Sequence, residues 1–265
     1  MKKHIFSMAM ASVVVLAFIG CEDLVKDDID AKYNRDVTVS APECADVNYV
    51  SATISYTIDG DTAGLAAKYC GVLVSETEDF SDIVECNIKP GEEKNIWLFE
   101  NTNYFAKSYF VVGTEIRYGG VTQFKTTQAS EFKDKFLLGT YTAYDDGNVG
   151  DPNSAYGMEI TQIEGSNNRI EITNWWDGGE TVTARVDFEN KLIIVDDDPA
   201  IFNYGEYLGD PSLGFIYFYD FDEDDNFTNV IGEYDDEGNI SFPYYFIYLD
   251  GYGDYGEGCT DMIKD

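Results

Sequence analysis

Apolar and polar side chains alternate with a period of two along much of this chain, and that period predicts strands rather than helices. Ala52, Ile54, Tyr56 and Ile58 alternate with Thr53, Ser55 and Thr57, and Tyr104, Ala106, Ser108 and Phe110 alternate with Phe105, Lys107 and Tyr109. Each set describes a strand with one buried face. Apolar runs at residues 71–74, 96–99 and 121–126, set off by Asp, Gly and Pro turns, add further strands and predict an antiparallel sandwich. Further on, candidate strands cover residues 137–144, 156–163, 169–175, 181–187, 191–195, 214–222, 229–234 and 239–249. Eight strands joined mostly by short Gly, Asn and Asp turns are about what an up-and-down barrel requires to close. The predicted fold class is all-β: a β-sandwich followed by an eight-stranded antiparallel meander barrel.

The faces of the later strands carry more aromatic residues than an interior needs. Phe215, Tyr217, Tyr219 and Phe221 point one way and Ile216, Phe218 and Asp220 the other, while Tyr244, Phe246 and Tyr248 oppose Tyr245 and Ile247. A barrel needs only its inner face to be apolar, so one aromatic set must lie outside. Trp175 and Trp176, taken as strand neighbours, must project oppositely and cannot both fill the interior. Together with Asp177 and the Gly178-Gly179 turn, Trp176 is placed at one barrel mouth. A flat ring matches the apolar face of a pyranose, and a carboxylate accepts hydrogen bonds from sugar hydroxyls. Candidate ligand-binding residues are therefore Trp175, Trp176, Asp177, Tyr217, Tyr219, Tyr244 and Tyr248.

The chain opens differently. Lys2 and Lys3 precede an apolar run from Ile5 to Ile19, then Gly20 and Cys21. A charged start, a short apolar middle and a small residue before the cut describe a secretory leader, too short for the ~20 residues that span a bilayer. Phe18-Ile19-Gly20-Cys21 resembles a bacterial lipobox, which implies cleavage before Cys21 and acylation of its thiol and new amino terminus. Two or three long chains anchor far more firmly than one, at ~0.8 kcal/mol per buried methylene. Lys26-Asp27-Asp28 resembles the export signal that sends lipoproteins of some Gram-negative gut anaerobes to the outer face of the outer membrane. Residues 22–35 read as a polar tether.

Composition bounds the partners. The 265 residues include 50 acids and 17 bases, and removing the leader with its two lysines takes the net charge to about −35. Such a surface repels phosphate, which excludes nucleic acid. Residues 21–129 carry 19 acids and 9 bases, a net of −10, whereas residues 130–265 carry 31 acids and 6 bases, a net of −25. The imbalance predicts two units meeting in the polar run Thr126-Thr127-Gln128-Ala129-Ser130. The expected organisation is a leader at 1–20, a lipidated tether at 21–35, a sandwich at 36–129 and a barrel at 130–265.

Two further resemblances bear on fold. The run from Leu98 to Tyr109 resembles the E-to-F corner and F strand of a fibronectin type III domain, with Tyr104 in the tyrosine-corner place. Gly71-Val72-Leu73-Val74-Ser75 and Phe124-Lys125-Thr126-Thr127 resemble its C and G strands, and the likeness covers residues 36–128. Leu138-Gly139-Thr140-Tyr141 and residues 231–240 resemble the lipocalin-like barrels at the C-terminus of surface lipoproteins. The first resemblance implies a spacer.

The remaining chemistry is limited. Cys70 and Cys86 flank the turn around Glu78 symmetrically and would face each other in a hairpin, either bridged by a disulfide or simply packed; Cys44 and Cys259 have no evident mates. No resident cofactor is expected. Asp220, Asp222, Asp224, Asp225 and Asn226 offer alternating oxygens for calcium, but Asp225 stands where an EF-hand needs Gly and Ile231 where it needs Glu, and a solvated hairpin tip is the bland account, as for Asp196-Asp197-Asp198. The sole histidine, His4, lies in the leader, so the mature chain lacks the imidazole that Ser-His-Asp or Cys-His catalysis and histidine-bound zinc require. Gly251-Tyr252-Gly253-Asp254-Tyr255-Gly256 spells a dinucleotide fingerprint with no helix predicted after it. Asp61-Thr62-Ala63 resembles a bacterial O-glycosylation site. The expectation is a non-catalytic surface lipoprotein binding an extracellular ligand, foremost a glycan, as an accessory to an uptake system. The alternatives are a protein docking on another outer-membrane protein and a carboxylate-based glycoside hydrolase.

Overall fold

A computed structural model describes residues 36–60, 70–112, 115–196, 200–221 and 227–265. The leader, Cys21, the tether, Asp61-Thr62-Ala63, Asp197, Asp198, residues 222–226 and the side chain of Cys86 lie outside the described residues.

The first half supplies nine strands: β1 (Val37–Val39), β2 (Glu43–Ala45), β3 (Ser51–Ser55), β4 (Ile58–Gly60), β5 (Cys70–Ser75), β6 (Ile83–Cys86), β7 (Glu93–Trp97), β8 (Asn103–Val112) and β9 (Glu115–Lys125). They form a three-stranded sheet β2-β3-β7, a four-stranded sheet β6-β5-β8-β9 and a small β1-β4 pair. Ile54 and Ile96 from the first sheet share one buried cluster with Val72, Val74, Ala106 and Phe110 from the second, so the two sheets pack as a sandwich. Alternation along β8 is complete: Tyr104, Ala106, Ser108 and Phe110 are all buried. The Tyr104 hydroxyl accepts a hydrogen bond from the Phe99 amide at 2.9 Å, five residues upstream, which fixes the chain ahead of β8. The register of β5 with β6 sets Cys86 opposite Val72. Cys70 and Cys86 are therefore two residues out of step and do not face each other as the symmetric turn suggested. The Cys70 sulfur instead lies 3.7 Å from the Ile88 carbonyl oxygen.

The second half contributes β10 (Gly139–Asp145), β11 (Tyr156–Gln162), β12 (Arg169–Thr173), β13 (Thr181–Asp187), β14 (Leu192–Val195), β15 (Ala200–Asn203), β16 (Phe215–Phe221), β17 (Phe227–Thr228), β18 (Ile231–Tyr234), β19 (Ile240–Leu249) and β20 (Gly253–Lys264), with one helix, α1 (Tyr204–Leu208). Strands β10 to β14 follow one another as a meander, β14 pairs β18, and β19 and β20 bring the sheet back to β10. The result is a closed eight-stranded antiparallel barrel. Two details differ from the sequence expectation. Strand β16 is not a stave, since it adds to the upper part of β19 outside the ring; β20 is the eighth stave. The chain between β14 and β18, carrying β15, α1, β16 and β17, is an excursion from one end of the barrel.

The interior follows the period of two, with Tyr141, Ile160, Ile172, Ala184, Ile193, Phe242 and Met262 among its buried residues. Two glycines make room for rings. A Cβ on Gly232 would stand 2.6 Å from the Phe242 ring, and one on Gly258 would stand 2.8 Å from the Tyr245 ring. The far part of β13 is buried on both faces because its outward Arg185 packs against the sandwich.

Candidate functional site

The barrel has two unlike ends. At the first, the loop between β7 and β8 presents Phe99 and Glu100 to the barrel wall. Arg169 and Arg185 are directly opposed across β12 and β13, a placement that would repel without an acid between them. Asp196 provides that acid, with 2.9 Å contacts to Arg169 Nη2 and Arg185 Nε, and Thr183 donates to it as well. Both guanidiniums lie over the Phe99 ring, at 5.0 and 4.7 Å from its centroid. The Glu100 carboxylate accepts from the Asn167 amide at 2.8 Å, the Ser166 hydroxyl at 2.5 Å and the Ala129 amide at 3.1 Å. Tyr49 completes the joint: its hydroxyl accepts from the Phe188 amide at 2.9 Å, and burial pushes its pKa up to about 12. A cleft of about 480 Å³ opens beside this joint, lined by Glu76, Phe99, Glu100, Thr102, Ile163 and Arg169. Asp196 is thus a structural acid, not part of a solvated tip; its pairing across 27 residues with Arg169 leaves no local signal in the sequence.

The opposite end is aromatic. Trp175 and Trp176 do not sit in a strand but in a 3-10 turn after β12, with Asn174, Trp176 and Asp177 at positive φ of 71°, 56° and 51°. The strand rule that sent them to opposite faces therefore does not apply, and both indoles pack on Phe218, with centroids 5.3 and 5.1 Å away. Trp175 is 1% exposed and cannot be a stacking platform; Trp176 is half-buried against the same core. Asp177 is exposed and accepts from the Asn174 side chain at 3.1 Å.

A closed ring of hydrogen bonds holds the turn. Tyr156 and Thr260 hydroxyls donate to Asp145 Oδ1 at 2.9 and 2.7 Å. Thr260 in turn accepts from Trp175 Nε1 at 3.0 Å and is 2.7 Å from the Tyr245 hydroxyl. Tyr245 accepts from Trp176 Nε1 at 3.0 Å, and Tyr156 accepts from the Trp176 amide at 3.2 Å. With Thr260 donating to Asp145, Tyr245 must donate to Thr260, so every proton points towards the one carboxylate. Desolvation raises the Asp145 pKa, and the Thr260 and Tyr156 hydrogen bonds oppose that rise.

The alternation separates two aromatic sets, and the structure decides which of them faces outward. Ile216, Phe218, Tyr245 and Ile247 are buried, whereas Tyr217, Tyr219, Phe221, Tyr244, Phe246 and Tyr248 are half-buried or exposed on the other side of β16 and β19. Tyr219 stacks on Phe246 with centroids 5.5 Å apart and planes 18° apart, while Tyr244 and Phe221 meet the Phe246 edge at 5.0 Å. The Tyr219 hydroxyl donates to Asp254 at 2.6 Å and the Tyr217 hydroxyl to Asp250 at 3.3 Å. This is a ledge of fixed rings edged by carboxylates. It unites Tyr217, Tyr219, Tyr244 and Tyr248 and leaves Trp175, Trp176 and Asp177 out.

Residues that the alternation did not single out form a row at the rim. Phe202 contacts Tyr207, Tyr207 stacks on Tyr204, Tyr204 meets Tyr255 and Tyr255 meets Tyr252, with centroids 5.4, 6.2, 5.6 and 5.9 Å apart. The Tyr204 and Tyr255 hydroxyls are 3.0 Å apart. In the sheet, β15 and β20 are separated by β16 and β19, a gap of about 14 Å at ordinary strand spacing. The chain after β15 must therefore cross the sheet face to bring Tyr204 to Tyr255. A register shift at Ile247/Tyr248 leaves Tyr255 as the extra residue that meets it. Glycines and acids around these tyrosines hide them from any periodic reading.

Of the oxygens weighed for calcium against a solvated hairpin tip, only those of Asp220 are described, and its backbone-bonded carboxylate is raised in pKa by burial. Among the described residues no cluster of three or more acids, cysteines or histidines has the arrangement of a metal site. No protein-family model matches this chain, and no curated protein matches it either.

Proposed function

We propose that this chain is a lipid-anchored protein of the outer membrane, facing outward, that binds an extracellular glycan without transforming it. One observation carries the binding part: the ledge of Tyr217, Tyr219, Phe221, Tyr244, Phe246 and Tyr248 is half-buried with Tyr244 exposed, held at Tyr219, Phe221, Tyr244 and Phe246 by ring contacts, and edged by Asp250 and Asp254. Rings so held lose little freedom on stacking against a sugar, and the carboxylates retain lone pairs for its hydroxyls. A unit net charge of −25 disfavours uronates and sulfated chains, which points to uncharged glycans. The leader and Cys21 support the anchor, the acidic tether supports export, and the sandwich serves as the spacer.

Binding of the full chain to a panel of neutral β-glucan, α-mannan and galactan, followed by calorimetry, tests the reading. Tyr219→Ala with Tyr244→Ala is expected to weaken affinity about tenfold or more, as loss of two stacking anchors of roughly 1 kcal/mol each requires. Unchanged affinity would sink the ledge, and release of reducing sugar from the same polysaccharides would sink the non-catalytic assignment. Mass spectrometry of the N-terminal peptide tests the anchor: acyl groups on Cys21 are expected, and an unmodified cysteine or a retained leader overturns it.

A further inference from the structure

The six bases of the second unit are unevenly placed. Lys133 and Lys135 precede β10, Arg169 opens β12, Arg185 lies late in β13, Lys191 is in the turn before β14 and Lys264 ends β20. In an antiparallel barrel all of these positions fall on the half nearer the sandwich. Among the described residues the opposite rim and ledge carry Glu206, Asp210, Asp220, Asp250, Asp254 and Glu257, and residues 192–263 contain no lysine, arginine or histidine. The tyrosine row stands in the middle of this field. Tyr207 and Tyr252 are 72% and 70% exposed, values unusual for rings of this size, with Tyr204 and Tyr255 bridged between them. Glu206 and Asp210 flank Tyr207, and Asp250 and Asp254 flank Tyr252 and Tyr255.

We propose that this rim row docks a lysine- or arginine-rich polypeptide segment of a partner protein. The choice of occupant rests on charge complementarity. An aromatic face attracts a cation through its quadrupole, and each exposed contact of this kind is worth roughly 0.5–1 kcal/mol. A neutral sugar would gain nothing from the surrounding carboxylates' field, and an anion would be repelled. A single ammonium would use one ring, whereas five contiguous rings with acids beside them match several cations on one chain segment. The row is preorganised: each ring is pinned by a neighbour, so docking need not order it. The rings are not those of the ledge, although Asp250 and Asp254 border both, and the inference does not depend on glycan binding.

The test is fluorescence anisotropy of a labelled deca-lysine peptide with the full chain, at low ionic strength and at about 0.15 M salt. Binding should weaken with salt, and Tyr207→Ala with Tyr252→Ala should cost about tenfold at either salt, the sum of two ring–cation contacts. Glu206→Gln with Asp210→Asn should flatten the salt dependence while leaving the rings in place. The ledge variant Tyr244→Ala should bind the peptide as the parent does, so failure of the glycan reading and failure of this one are separately visible. Equal binding by the Tyr207/Tyr252 variant would mean diffuse electrostatic attraction only and overturns the proposal. So does a neutral polysaccharide, or the cationic glycan chitosan, that depends on these tyrosines while deca-lysine does not bind.

Discussion

The two ends of the barrel solve opposite problems with different residues. At the sandwich end the charges are paired: Asp196 separates two opposed arginines, Phe99 carries both guanidiniums, and Glu100 accepts three hydrogen bonds, while Arg169 Nε and Asn168 Nδ2 stay buried without a partner. At the far end, among the described residues, the half-buried Asp145 accepts from Tyr156 and Thr260, no base is present, and Tyr207 and Tyr252 stand in solvent. Two of the second unit's six bases, Arg169 and Arg185, form the joint with the sandwich.

The sharpest way to break this contrast is Trp175→Ala, which should cost about 3–5 kcal/mol in urea unfolding because a fully buried indole leaves a cavity and Thr260 loses a donor. A loss below 1 kcal/mol would mean the aromatic end is not packed as described. Asp196→Ala should cost about 3 kcal/mol by stranding Arg185, whose side chain is 4% exposed, beside Arg169. The double change with Arg169→Met should recover part of that loss, which a double-mutant cycle would measure.

A smaller and pH-dependent effect separates the two acids. The folded-state pKa of Asp145 is raised above its unfolded value. The stability linked to its proton is therefore present below the ordinary aspartate pKa and lost as pH rises through the folded value. Asp145→Asn keeps the acceptor for Tyr156 and Thr260 and removes the ionisation, so its unfolding free energy should fall less than that of the parent between acid and neutral pH. An identical slope in the two proteins would show that Asp145 titrates normally. The smallest effect is expected at the rim: Tyr207→Ala and Tyr252→Ala should shift stability by no more than about 0.5 kcal/mol, since these rings are mostly in water.

How much of this was legible varied with the element. The alternation in β3 and β8 names the buried face directly, because a strand half in water has to show its period, whereas in β16 and β19 it separates two aromatic faces without saying which is buried. Strand β20 was missed as a stave. Gly253, Gly256 and Gly258 leave its register without large apolar residues, since Gly258 is where the Tyr245 ring needs space. The two tryptophans were placed wrongly because a left-handed backbone at Trp176 costs about 1 kcal/mol and is not chosen locally; burying the indole offsets it. The ledge could be read as one strand face, whereas the rim row could not, its members coming from α1 and from both sides of the β19–β20 turn.

Side-chain order along the chain was enough to determine the all-β class, the two faces of the main strands, the acidic imbalance between halves and the lack of a histidine after His4, for these depend on neighbours a few residues apart or on composition alone. Which strand closes the barrel, where Trp175 and Trp176 point, the pairing of Asp196 with two arginines and the meeting of Tyr204 with Tyr255 were decided only by tertiary structure. Each of those joins groups tens of residues apart, and their energies arise from burial and mutual contact that exist only once the chain has closed on itself.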